Sequence, residues 1–129
     1  MSEQIRESEE KEKIKVFAQC AMDIRKWEDS QLHLCTTRIG YDLFILIGQS
    51  IQTETRLTLK EVCNSLRYSD RGIRIVVEQF VNGGWCDIVG HDQDKRFRLV
   101  VPTQQLIDKF NAYEALVLGS YKQLCSKLN

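Results

Sequence analysis

Apolar residues recur at helical spacing along most of this chain and alternate at strand spacing once, past its middle. Ile14, Phe17, Cys20, Ala21, Ile24 and Trp27 line one face of a helix predicted over about residues 9–28, which Asp29-Ser30 should break. Residues 2–12 are charge-dense. Glu7→Lys11 and Glu9→Lys13 are favourable helical pairs, so this segment reads either as the first turns of a long helix or as a disordered tail. Residues 30–37 carry no clear pattern. Ile39, Leu43, Phe44, Leu46, Ile47 and Ile51 then predict a helix over 38–51, capped by Thr36 or Thr37. Leu43–Ile47 would also suit a buried strand, but the length of the pattern and the cap favour a helix too apolar to lie isolated on a surface. Gln52–Arg56 reads as a polar loop.

The stretch 57–103 organises the rest. Thr58-x-x-Glu61 is a capping box, in which the threonine bonds forward and the glutamate back. Leu59, Val62, Cys63 and Leu66 give that short helix its buried stripe. Only Arg67-Tyr68 separates it from Ser69, a second N-cap, so the pair reads as a helix-turn-helix. In the helix predicted over 69–82, Ile73, Val76, Val77 and Phe80 share one face, with Arg71, Arg74, Ile75 and Glu78 on the other. Gly83-Gly84 ends it in a left-handed conformation that costs glycine little. Trp85–Val89 and Arg96–Val101 read as strands joined by the polar turn 90–95, with Phe97, Leu99 and Val101 alternating against Arg96, Arg98 and Val100. A hairpin directly after such a helix is a wing, here 86–101.

Thr103 is a plausible cap for a last helix of about 25 residues, about 38 Å long. Leu106, Phe110, Tyr113, Val117 and Leu124 form one apolar stripe; Ile107, Leu118 and Tyr121 form another. Two stripes need two partners. The simplest arrangement gives one to the N-terminal helix and the other to a second subunit, with Gly119 and Ser120 allowing close approach; both stripes packing within one subunit is the alternative. The expected class is therefore mainly α with a small β-hairpin wing (α+β), a single domain over 1–129. Its winged helix-turn-helix is 38–103, flanked by N- and C-terminal dimerisation helices at 9–29 and 103–128.

Composition adds one objection. The 129 residues carry 18 Lys+Arg and 18 Asp+Glu, a net charge of zero, which does not mark a strongly basic nucleic-acid binder. Yet residues 56–98 hold eight basic against six acidic side chains, and the basic ones gather on the 69–82 helix and the wing. Local clustering sets the field at a contact surface. No signal peptide or membrane-spanning stretch is evident, which points to the cytoplasm. Five cysteines with no C-x-x-C spacing suit free thiols in a reducing compartment. Enzyme chemistry is not visible: there is no glycine-rich phosphate loop and no nucleophile elbow, and no cofactor is called for. His33-x-Cys35 has no second ligand pair to make a zinc site, and His91 reads as a turn residue.

On Leu57-Thr58 with Val62 and Leu66, Ser69 with Ile73, Phe80-x-x-x-Gly84, Asp94-Lys95-Arg96 and Pro102-Thr103, the chain resembles the MarR-type winged helix-turn-helix regulators of bacterial transcription. Three positions depart from that pattern. Gly72 stands where Thr or Ser is common, Ile75 where arginine is, and Leu106 where glycine is frequent. The resemblance implies a homodimer, joined through its terminal helices, that reads pseudo-palindromic double-stranded DNA with half-sites about one helical turn apart. Arg71 and Arg74 would serve the major groove as guanine donors or phosphate clamps, and Ile75 would either touch a thymine methyl or lie partly buried. Tyr68 and Ser69 would bond phosphates, and Lys95, Arg96 and Arg98 would serve the wing in the minor groove. In the family, the aspartate matched by Asp94 holds the wing arginine matched by Arg96. The resemblance also implies small-molecule control, through a pocket near Trp27, His33 or Tyr41, and raises Cys20 or Cys35 as a redox-sensing thiol beside the reading of an inert buried one. The rival function is a winged-helix module that binds protein and not DNA.

Overall fold

The computed structural model describes residues 2–53, 56–91 and 94–128, leaving aside the side chains of 52, 53, 91 and 94–96. Its elements are α1 (Ser2–Gln31), a 3-10 turn (His33–Cys35), α2 (Arg38–Thr53), β1 (Leu57–Thr58), α3 (Leu59–Ser65), α4 (Asp70–Asn82), β2 (Cys86–His91), β3 (Asp94–Pro102) and α5 (Gln104–Leu128). The helices outweigh a three-stranded antiparallel sheet of order β1-β3-β2.

Helix α1 is longer at both ends than the apolar pattern alone indicates. Its charged first turns contain no glycine or proline to stop them, so the disordered-tail alternative gives way to helix. Asp29-Ser30 does not break it either. Ser30 Oγ donates back to the Trp27 carbonyl at 3.2 Å, and the chain turns only at Leu32, which is fully buried. The unreadable 30–37 segment thus carries a core anchor. Thr37 is the cap of α2, its Oγ1 accepting from Gly40 N–H at 3.1 Å. α2 runs to Thr53, shortening the expected 52–56 loop, of which residues 54 and 55 lie outside the described residues. Its Leu43, Phe44 and Ile47 are fully buried and pack with Val62, Ile73, Phe80, Trp85 and Leu106 in one core.

The sheet corrects the wing in two ways. Leu57-Thr58, read only as the lead-in and cap of the short helix, also forms a third strand, with Leu57 opposite Val100 and Thr58 opposite Leu99. And the buried face of β3 is the one carrying Val100, 2 % exposed, whereas Phe97 is 54 % exposed. Val100 lies between Leu57 and Ile88 in the central strand, so the core takes that face and Phe97, Leu99 and Val101 turn outward. The strands also reach His91 and Asp94, tightening the turn expected over 90–95.

Candidate nucleic-acid interface

Helix α4 and the residues that seat it form the candidate site. Ser69 is its N-cap, the hydroxyl accepting from Gly72 N–H at 3.1 Å. Ile73, Val76, Val77 and Phe80 are buried, which fixes the rotation of the helix about its axis. Phe80 meets Trp85 edge-on at 5.2 Å. At the far end, Gly83 N–H and Trp85 N–H donate to the Gln79 and Phe80 carbonyls, at 2.9 and 2.8 Å. The left-handed residue there is Gly84 (φ 78), not Gly83. Upstream, the forward half of the capping box is made: Glu61 N–H donates to Thr58 Oγ1 at 3.1 Å.

This packing leaves Arg71, Arg74, Ile75 and Glu78 exposed along one side of α4, with Ile75 at 47 %. Arg74 lies near Cys63 of α3, whose thiol is pushed up by burial and by Asp70, with Arg74 opposing. Ser69 is exposed at the same end. Arg98 is exposed in β3, paired with Gly90. The expected roles of Asp94, Lys95 and Arg96 fall on side chains outside the described residues.

Tyr68 does not join this surface as expected. Its hydroxyl donates to Asp42 Oδ2 of α2 at 2.5 Å, and its ring packs against the core. That bond, with partial burial, pushes the phenol up from its ordinary value, with Arg38 opposing. A hydroxyl whose hydrogen is committed to a carboxylate has nothing left to donate to a phosphate oxygen, which only accepts. The sequence held no signal for this partner, 26 positions away.

A second feature lies behind the helix-turn-helix. A cavity of about 500 Å³ opens where α1, the 3-10 turn, α2 and α5 meet, lined among others by Arg25, Glu28, Arg38, Tyr41, Asp42 and Tyr113. Tyr113 Oη donates to Glu28 Oε2 at 3.0 Å and stands 3.3 Å from Tyr41 Oη. Of the three residues expected at such a pocket, Tyr41 lines it and Trp27 stacks on Tyr113 at 5.5 Å. His33 instead packs edge-on against Trp85 at 5.6 Å. Burial, aided by Glu28, pushes the Cys35 thiol up to about 12, the opposite of the thiolate a redox sensor uses. Among the described residues, no three His, Cys, Asp or Glu side chains group as metal ligands, and no helix is long and apolar enough to cross a membrane.

No family model and no curated protein matches the chain by sequence. Solved structures do match by shape. The DNA complex of S. aureus MepR superposes with TM-score 0.68 over 88% of this chain and 83% of that one, at 15% identity. Sco3205, a MarR family transcriptional regulator from Streptomyces coelicolor solved with DNA, gives 0.57 over 84% and 70%, at 16% identity. The chain has the MarR-type winged-helix fold. Transcriptional regulator Tm0710 from Thermotoga maritima gives 0.66 over 93% and 80%, at 15% identity. The chain spans 64% of the organohalide-sensing regulator RdhR-CbdbA1625, solved with 2,4-dichlorophenol, which matches at TM-score 0.57 and 14% identity over 85% of this chain. Within the MarR-type fold, α4 is the second helix of the helix-turn-helix, and β2 and β3 form the wing.

Proposed function

We propose that this protein is a sequence-specific double-stranded DNA-binding transcription regulator that acts as a homodimer in the cytoplasm. The observation that carries this reading is α4. Its apolar face is locked in the core, and Arg71, Arg74 and Ile75 stand exposed beside a capped N-terminus. Two proteins sharing the fold, MepR and Sco3205, were solved with DNA.

In this reading Arg71 and Arg74 enter the major groove and donate to guanine or phosphate, while Ile75 meets a thymine methyl. The exposed Ser69 hydroxyl bonds a phosphate at the helix N-terminus. Lys95, Arg96 and Arg98 bring the wing to the minor groove or backbone, with Asp94 holding Arg96. The dimer forms through α1 and α5, and a small-molecule effector binds in the 500 Å³ cavity behind α2. Titration of duplex DNA at two salt concentrations, against the Arg71→Ala/Arg74→Ala variant, tests the reading, because binding through phosphates weakens steeply with salt.

The zero net charge, with Ile75 and Phe97 exposed at 47 % and 54 %, favours the second reading, a module that binds protein. That module would associate independently of salt and of both arginines.

A further inference from the structure

Tyr68 directly precedes the Ser69 cap, and its contact with Asp42 joins the start of α4 to α2. Asp42 lies one turn along α2 from Ile39, so the two share a face. Ile39 makes the neighbouring contact. A β-carbon added at Gly72 would stand 3.3 Å from Ile39 Cδ1 and 3.1 Å from Ser69 Oγ. The first turn of α4 thus rests on two adjacent positions of α2, one apolar and one a hydrogen bond to a carboxylate, the stronger kind. The far end of α4 is anchored separately. There Phe80 packs on Trp85, and a β-carbon at Gly83 would come 2.7 Å from Leu34 Cδ1. Arg71 and Arg74 both belong to the Asp42 end.

We propose that Tyr68 and Asp42 are a positioning pair for DNA recognition. Their hydrogen bond seats the first turn of α4 on α2 and so fixes how Arg71 and Arg74 enter the groove. The proposal rests on the regulator reading. Recognition side chains must be held to within about 0.5 Å to act, and a helix fixed at one end alone swings at the other. Gly72 belongs to the same contact, because a β-carbon there would require Ile39 or Ser69 to give by a few tenths of an ångström.

Four variants test this: Tyr68→Phe, Asp42→Ala, Asp42→Asn and the Tyr68→Phe/Asp42→Ala pair. DNA affinity is read by fluorescence anisotropy on a duplex selected from a random pool. Thermal melting and sedimentation check fold and assembly, and amide hydrogen exchange follows Gly72 and Ile73. Tyr68→Phe and Asp42→Ala should each bind about tenfold more weakly, the low end for a hydrogen bond to a charged group. The double variant should be no weaker than either single one. Asp42→Asn, whose amide oxygen still accepts, should keep part of the affinity. Exchange at Gly72 and Ile73 should quicken when the bond is lost. Removing the Asp42 charge should help DNA binding if the residue acts only by repulsion. Asp42→Ala binding as tightly as wild type or tighter, or additive losses in the double variant, would therefore overturn the proposal. Lower melting with unchanged affinity would overturn it too, since that is a purely structural role. Wild-type protein that binds no duplex would overturn the regulator reading, and the seating of α4 would then stand or fall on the exchange rates alone.

Discussion

Gly48 illustrates how closely single residues set the spacing of this fold. A β-carbon there would collide with Phe110 Cζ, and Phe110 is stacked flat on Phe44 at 3.9 Å, so the ring cannot yield toward Phe44. Gly48→Ala should push α2 and α5 apart and lower the stability by about 1–3 kcal/mol, the usual cost of overpacking, read as a lower urea midpoint. Residues whose role depends on helical period were legible from the sequence. Arg71 and Arg74 are exposed because Ile73, Val76, Val77 and Phe80 claim the opposite face. Residues whose role depends on a remote partner were not. Tyr68 finds Asp42 and Leu32 finds the core only after the chain has folded back on itself.

At the scale of elements, caps and breakers located most boundaries. Thr37, Thr58, Ser69 and Thr103 all cap as their sequence context indicates, Thr103 Oγ1 accepting from Leu106 N–H at 3.3 Å while donating to the Gly84 carbonyl at 2.6 Å. Ser69→Ala should lower stability by about 1 kcal/mol, the usual worth of an N-cap, measured by chemical denaturation. Ser69→Gly should cost only a few tenths. The wing was less legible because both faces of 97–101 carry apolar residues, so alternation alone could not choose the inner one. The choice came from β1, a two-residue strand too short to announce itself, which makes β3 central and puts Val100 inside.

For the whole molecule, the apolar surface left uncovered is the main consequence. Ile14 and Phe17 on α1 are 67 % and 61 % exposed, and Leu118 and Tyr121 on α5 are 49 % and 62 % exposed. The two stripes on α5 were readable as needing two partners. Leu106 is buried, Phe110 stacks on Phe44 and Tyr113 is half-buried against Trp27 of α1, while Val117, Leu118 and Tyr121 face outward. The proposed second copy, covering these helices, would account for that surface, since patches this apolar mark interaction sites. Phe17→Asp with Leu118→Asp should convert a dimer to a folded monomer in sedimentation velocity, and an unchanged dimer would place the interface elsewhere. Dimerisation would also present two copies of residues 56–98, doubling their excess of basic over acidic side chains despite the zero net charge of the chain.

The most direct measurement is a fluorescence-anisotropy titration of the wild type and the Arg71→Ala/Arg74→Ala variant against random duplex DNA at low and at physiological salt. Both side chains are exposed, so the variant should fold as the wild type does. The wild type should bind tightly at low salt and lose about tenfold or more in affinity on raising the salt, and the variant should bind poorly throughout. A folded dimer that binds no DNA at low salt, or a variant that binds as well as the wild type, would contradict the regulator reading.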